Sequence, residues 1–206
     1  MINRRKQIIW GLILIFLLSP SLVFAELSKI NNSSKDFTLF LNSGITHCET
    51  ATVKYTLWTD DSSELEVISK ITQNSPLVWQ KEVVSDFTGK KIYKYFSINR
   101  VDRKGEKLIF SQLESIERQI KGTGILLYFY QQVDEIIDIW DYLNLNKLRD
   151  KQKTQTDQLL SINGYSDIIG GIVQSSPFNT NVQIITNNQN KKGKSLIAIP
   201  ALLDEF

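Results

Sequence analysis

The sequence has very little of what most enzymes and metal sites rely on. Its 206 residues include one histidine, His47, and one cysteine, Cys48. One of each excludes the usual zinc clusters, and a lone cysteine cannot close an internal disulfide. A Cys–His nucleophilic pair needs its side chains within hydrogen-bond reach, whereas neighbours in a strand point to opposite faces. We expect Cys48 either to be buried or to pair with another chain, and we favour burial.

Catalytic and ligand-binding motifs are also missing. The sequence contains no Gly-x-Ser-x-Gly elbow, no phosphate-binding loop and no acidic calcium loop. Its densest acidic group consists of Asp134, Glu135, Asp138 and Asp141, which a turn and the solvated side of the next element explain. We therefore predict that the chain is not an enzyme, with no catalytic residue, no cofactor and no metal.

The N-terminus has the features of an export signal. Three basic residues, Arg4 to Lys6, precede an apolar run over 8–18, and Val23-Phe24-Ala25 supplies a peptidase site. A membrane-spanning helix needs about 20 apolar residues, which is more than this run offers. We predict a signal peptide over 1–25, cleaved after Ala25, a periplasmic or extracellular location, and no stable membrane anchor after cleavage.

Neither positive nor negative charge is in clear excess in the predicted mature chain. Cleavage removes three of the 24 Lys and Arg residues and leaves 21 against 22 Asp and Glu. The net charge is then near −1, which gives no support to a nucleic-acid partner. The remaining 181 residues, 206 − 25, suffice for a buried core without staples.

Strand signals dominate the middle of the chain. Ala51–Thr59 alternates apolar and polar residues with the period of two that is typical of a half-buried strand. Further strand-like segments, separated by polar or glycine-containing turns, are Phe37–Leu41, Leu65–Thr72, Leu77–Val84, Lys91–Val101 and Leu108–Ile116. This spacing predicts a mainly β protein with an immunoglobulin-like β-sandwich over 37–145, preceded by a flexible leader over 26–36.

Residues 125–145 admit two interpretations. As a helix, they would form an apolar stripe from Leu126 to Leu143 with the acidic residues on the wet side. As a hairpin, Ile125–Gln131 would pair with Ile136–Leu143. The aromatic and β-branched residues favour the hairpin.

The last part of the chain changes in character. Residues 146–163 are charged and Gln-rich, which predicts a polar linker or helix. Residues 164–206 then predict a small C-terminal module with a β-hairpin, whose arms are Val182–Thr186 and Leu196–Ile199.

Aromatic residues are the remaining candidates for binding. Trp and Tyr side chains on one outward face would form a contact surface, although most aromatics are core residues. The candidate client-binding residues are Trp79, Tyr93, Tyr95 and Trp140.

Two segments resemble components of the curli system. The strand order over residues 52–143 resembles the immunoglobulin-like accessory proteins that restrain amyloid subunits in the periplasm. The segments that carry this resemblance are Thr52–Leu57, Leu65–Ser69, the Gly89 turn, Tyr95–Ile98, the Arg103–Glu106 turn and Ile125–Phe129. The tail over 165–206 resembles the nucleation factor, through Ile168–Val173, Val182–Thr186 and Leu196–Pro200.

The resemblance implies a protein that serves a β-fibre. We expect an exported, non-enzymatic accessory protein of an extracellular fibre or surface assembly, with a β-rich client or fibre subunit as its partner. It would present a strand edge or an aromatic face to that client. The alternative is a periplasmic or secreted module that binds a glycan or small ligand through exposed aromatics.

Overall fold

The computed structural model describes residues 37–156, 158–170, 180–187 and 193–200. All of them belong to one compact unit, residues 37–206. The predicted signal peptide and the leader over 26–36 lie outside the described residues.

Eight antiparallel strands form a single sheet in the order β2-β3-β1-β4-β8-β7-β6-β5. The strands are β1 (Thr50–Thr59), β2 (Gln80–Ser85), β3 (Lys91–Asp102), β4 (Leu126–Val133), β5 (Arg149–Gln155), β6 (Leu159–Tyr165), β7 (Val182–Asn187) and β8 (Lys194–Ile199). The helices are α1 (Leu65–Asn74), α2 (Arg103–Glu106), α3 (Ile109–Ile120), α4 (Ile139–Leu145) and α5 (Asp167–Gly170), and a 3₁₀ turn at Ser62–Glu64 precedes α1.

The sheet combines two connectivities. The first four strands, with α1 and α3 between them, follow the order 2-3-1-4 of a split β-α-β motif. Strands β5 to β8 form a meander. The two parts join where Phe129–Val133 of β4 pairs with Ser195–Ile199 of β8.

The main core lies between the helices and one face of the sheet, which we call the helix-covered face. On β1, the alternation places Val53, Tyr55 and Leu57 on this face, and all three are buried. The same cluster contains Ile68 of α1 and Leu113 of α3. The opposite face carries a smaller buried cluster of Ile185, Leu196 and Ala198, against which Tyr130 and Leu159 pack.

The mainly β prediction is confirmed, and so are several strands. β1 and β3 match Ala51–Thr59 and Lys91–Val101, and β7 and β8 match the predicted C-terminal hairpin. The immunoglobulin-like sandwich is not confirmed, because the described strands belong to one sheet. Helices cover the face against which a second sheet would pack.

The strand predicted at Leu65–Thr72 is wrong, since this segment is α1. Ile68 and Ile71, three residues apart, are its buried residues, which is helical spacing. Glu66 and Lys70 form an i, i+4 ion pair at 2.7 Å on the exposed side. The polar residues before α1 form the 3₁₀ turn Ser62–Glu64. The Asp61 side chain caps this turn by accepting a hydrogen bond from the Ser63 N–H.

The strand predicted at Leu108–Ile116 is also wrong. The segment is α3, whose buried residues Ile109, Leu113, Ile116 and Ile120 recur at intervals of four, three and four. That spacing follows one face of a helix.

The hairpin favoured for 125–145 is half correct. Its first arm is β4, but its second arm is α4. The helix begins where it does because the Asp138 carboxylate accepts hydrogen bonds from the N–H groups of Trp140 and Asp141. The carboxylate therefore caps a helix.

Two other segments differ from prediction. Residues 146–163, expected as a polar linker or helix, contain β5 and most of β6. Gln155 of β5 pairs with Leu160 of β6, so backbone pairing with β6 keeps this polar strand in the sheet.

Phe37–Leu41, expected as a short strand, is irregular but mostly buried.

Candidate functional site

Strand β2 forms one end of the sheet. Each of its six residues, Gln80 to Ser85, is exposed, and within the described part of the chain only β3 pairs with it. Val83 and Val84 are 48% and 44% exposed, which is unusual for β-branched residues in a strand. We call the side of this strand that faces away from β3 the β2 edge.

The hydrogen-bond pattern shows which backbone groups the β2 edge presents. The Asp86 N–H donates to the Lys90 carbonyl at 3.0 Å. Hydrogen-bonded and non-hydrogen-bonded pairs alternate along an antiparallel ladder. Lys81, Val83 and Ser85 therefore direct their N–H and C=O groups outward from β3. Such groups can pair with a further strand.

The turn between β2 and β3 is firmly constructed. The Asp86 carboxylate accepts from the Thr88 hydroxyl at 2.6 Å and from the N–H groups of Thr88 and Lys90 at 2.8 and 2.9 Å. These hydrogen bonds hold the pKa of Asp86 below its usual value, and the bond from the Thr88 hydroxyl has the largest effect. Gly89 adopts φ +83°, which favours glycine, and Phe87 is fully exposed at the tip.

Three of the four predicted binding aromatics lie near this edge. The register places Tyr93 and Tyr95 opposite Val83 and Lys81 on the helix-covered face. The Lys81 Nζ lies 5.7 Å and 5.4 Å from the two ring centroids, within cation–π range. Trp79 directly precedes β2 and packs partly against the main core. Its indole N–H finds no hydrogen-bond partner among the described residues.

The fourth candidate, Trp140, lies elsewhere. It is on α4, 49% exposed, with the Lys153 Nζ of β5 at 5.8 Å from its ring centroid. Since β5 and β2 are the two ends of the sheet, the structure does not bring Trp140 together with Tyr93 and Tyr95.

The β5 end of the sheet has a different character. Its sequence, Arg-Asp-Lys-Gln-Lys-Thr-Gln, carries three basic residues and no apolar side chain. Arg149 forms an ion pair with Asp167. Lysine-rich edges discourage pairing with other strands. The two ends of the sheet therefore differ in their suitability for strand addition.

The opposite face of the sheet contains an arrangement that sequence reasoning missed. The Lys54 Nζ lies 5.4 Å from the Phe96 ring centroid and 5.5 Å from that of Tyr130, and the residue is buried. Trp58 and Tyr128 contact each other nearby, with centroids 6.3 Å apart. Lys54 follows the same alternation as Thr52 and Thr56, which made it resemble a solvated residue.

A separate polar cluster involves the single histidine. The Glu135 carboxylate accepts from the Thr46 hydroxyl at 2.5 Å and the His47 N–H at 2.8 Å, and the His47 Nδ1 lies 2.8 Å from it. Burial alone would raise the pKa of Glu135, but these hydrogen bonds outweigh it and lower the pKa to about 2. Cys48 is half-buried and packs against the main core.

A groove between α1 and α3 has about 100 Å³ of space. Ligand pockets for drug-sized molecules occupy roughly 300–1,000 Å³, so this groove is small for one. Its lining is uncharged and includes Ile71, Asn74, Leu77, Gln112, Ile116 and Gln119.

The described residues form neither a metal-binding cluster nor a membrane-spanning helix. In that part of the chain, no three His, Cys, Asp or Glu side chains come close enough to hold a metal ion. None of the helices described combines the length and apolar character that crossing a membrane requires.

Comparison with known protein families, with curated proteins and with solved structures finds no match for this chain.

Proposed function

We propose that this protein is an exported, non-enzymatic accessory protein that binds a β-rich client by adding a client strand to the β2 edge. The single observation that carries the proposal is the state of β2. It is a terminal strand with six exposed residues, two of them exposed valines.

The backbone supplies the affinity in this proposal. Lys81, Val83 and Ser85 present outward N–H and C=O groups, and an incoming strand satisfies them in β-augmentation. Val83, Val84 and Phe87 add exposed apolar surface around the same edge. The charged β5 edge lacks this apolar surface, which favours β2 as the binding edge.

The proposed client is a fibre subunit of the curli type. The predicted signal peptide and the resemblance of residues 52–143 and 165–206 to curli components motivate this choice. Strand addition depends only on a free edge, so it requires no immunoglobulin-like arrangement. A protein that occupies the edge of a fibre subunit would delay its stacking, since fibres grow by strand pairing.

A proline substitution on the β2 edge tests the proposal. Val83→Pro removes an outward N–H without removing a hydrogen bond to β3, which makes the change tolerable in an edge strand. We expect the mature wild-type chain to bind a curlin-type subunit and to delay its fibre growth, followed by thioflavin fluorescence. Val83→Pro should weaken binding about tenfold and remove the delay.

Gln155→Pro is the matched control at the other end of the sheet. The Thr156 N–H donates to the Leu159 carbonyl, so the alternation directs the Gln155 N–H outward from β6. This variant should behave like the wild type. Equal loss in both variants, or fibre growth unaffected by the wild-type chain, would contradict the proposal.

One observation favours a second function, the binding of a glycan through Trp140. Its ring is half exposed and lies beside Lys153. Aromatic surfaces of this kind can stack against the apolar side of a ligand. Trp140→Ala should then abolish glycan binding on an array with the melting temperature retained, whereas Trp79→Ala should mainly lower the melting temperature. An array without any wild-type signal would eliminate this second function.

A further inference from the structure

We infer that the client strand bound at β2 carries an acidic residue opposite Lys81, two positions from an apolar residue opposite Val83. This inference rests on the proposed function, and it specifies the chemistry of the partner. It follows from the distribution of charge on the two faces of the β2–β3 ribbon.

The helix-covered face of this ribbon carries uncompensated positive charge. Lys81 and Lys91 both lie on this face, since Lys91 pairs with Ser85. Among the described residues, neither lysine has a carboxylate within ion-pair distance. Lys81 instead lies over the rings of Tyr93 and Tyr95, which hold its ammonium at the sheet surface.

The other face of the ribbon is balanced. Glu82 lies there, and its carboxylate is 3.9 Å from the Lys94 Nζ. Lys94 in turn lies 5.8 Å from the Phe96 ring centroid. A client strand therefore meets an unmatched charge on the helix-covered face alone.

Strand geometry indicates which residues of the client strand face this charge. Residues directly opposite each other on neighbouring strands have Cβ atoms about 4.5–5.5 Å apart, so a client carboxylate opposite Lys81 can reach its ammonium. The next client residue on the same face lies opposite Val83, which is apolar and 48% exposed. A carboxylate two residues from a β-branched or aromatic residue fits both positions.

A second copy of this chain fits the edge less well. In antiparallel self-pairing centred on Val83, Lys81 would lie opposite Ser85 of the second copy, which offers no carboxylate. We therefore assign the edge to a client segment with an acidic residue.

Short extended peptides test this assignment. Three synthetic peptides share a central Val and differ two residues away, where they carry Asp, Asn or Lys. Their affinities for the mature full chain are measured by calorimetry at low and high salt. We expect Asp to bind about two- to fivefold more tightly than Asn, and Lys most weakly, with differences that shrink at high salt.

Charge reversal provides the control. Lys81→Glu should invert the order so that the Lys peptide binds best, and Lys81→Gln should abolish the preference. Lys151→Glu makes the same charge change on β5 and should leave the order unchanged. Thermal melts confirm that each variant folds.

The outcomes separate this inference from the proposed function. If all three peptides bind equally and Val83→Pro abolishes binding, strand addition stands and the acidic preference is wrong. If no peptide binds and the wild-type chain leaves fibre growth unchanged, both are wrong. If sedimentation shows a dimer that Val83→Pro dissolves, a second copy occupies the edge and the inference is overturned.

Discussion

Glu135 shows how one carboxylate connects segments that are distant in the sequence. It joins Thr46 and His47, which precede β1, to the chain that follows β4. Its backbone carbonyl accepts a hydrogen bond from the Ser195 hydroxyl at 2.7 Å, so β8 is connected to the same point. Hydrogen bonds to an ionised group are among the stronger ones in proteins.

Replacement of this carboxylate should destabilise the fold in a pH-dependent way. The folded pKa of Glu135 is about 2, below the ordinary value of 4.5, so its stabilising effect is present above pH 4.5. The effect is lost as the pH falls from there through 2. We expect Glu135→Gln to lower the free energy of unfolding by about 1–3 kcal/mol at pH 7 and by much less at pH 2.

Urea denaturation at both pH values measures this difference. Glu49→Gln, which changes an exposed carboxylate before β1, is the control and should stay within about 0.5 kcal/mol of the wild type. A Glu135→Gln deficit that is equal at the two pH values would show that ionisation of Glu135 does not contribute.

At the scale of elements, the β2–β3 hairpin is a stiff ribbon with an apolar tip. Gly89 requires a positive φ, and a Cβ at this position would meet no atom within 4 Å. Gly89→Ala should therefore cost about 1 kcal/mol from backbone strain alone. Phe87 is fully exposed, so Phe87→Ala should leave stability within about 0.5 kcal/mol of the wild type.

The two variants should separate stability from binding. Thermal denaturation and client affinity are measured on the same samples. Phe87→Ala is expected to weaken client binding at an unchanged melting temperature, whereas Gly89→Ala lowers the melting temperature. If Phe87→Ala binds the client normally, the tip takes no part in recognition.

Elements differed in how far sequence reasoning could predict them. β1 is predictable from its alternation of apolar and polar residues, and β3 from its density of aromatic and β-branched residues. Ile109, Leu113 and Ile116 of α3 have helical spacing, whereas the strand prediction for this segment follows the regular spacing of turns along the chain. β5 was missed because a solvated edge strand needs no apolar residue.

The candidate site was predictable only in part. The sequence predicts Tyr93 and Tyr95 as aromatics in a strand, and this strand, β3, lies next to the edge strand β2. Sequence alone does not show which strands form the two ends of a sheet, so it does not separate Trp140 from this pair. The position of Lys81 over two rings depends on the β2–β3 register, which also required the structure.

At the scale of the whole molecule, Glu106 joins the segment Phe40–Asn42, which precedes β1, to the core. It is buried on α2, and its carboxylate accepts from the N–H groups of Leu41 and Asn42, both at 2.7 Å. The Gln131 side chain of β4 donates to the same carboxylate at 2.5 Å. Gln131 also accepts from the Phe40 N–H at 2.9 Å, so one polar network fixes the segment across the first half of the sheet.

The Leu41 and Asn42 N–H groups and the Gln131 side chain donate to Glu106, and the Phe40 N–H depends on it through Gln131, so loss of Glu106 should release the segment as a unit. Glu106→Gln retains the shape but places an amide N–H₂ among N–H donors, which leaves buried groups unpaired and should cost about 2–4 kcal/mol. Hydrogen exchange should then accelerate at the Phe40, Leu41 and Asn42 amides more than in the β6–β7 ladder. Uniform acceleration would instead mean that Glu106 stabilises only the global fold. Glu106→Ala removes the carboxylate without introducing a new donor. We expect it to accelerate exchange at the same three amides at a similar global cost, which would show that loss of the carboxylate, and not the added N–H₂ group, releases the segment.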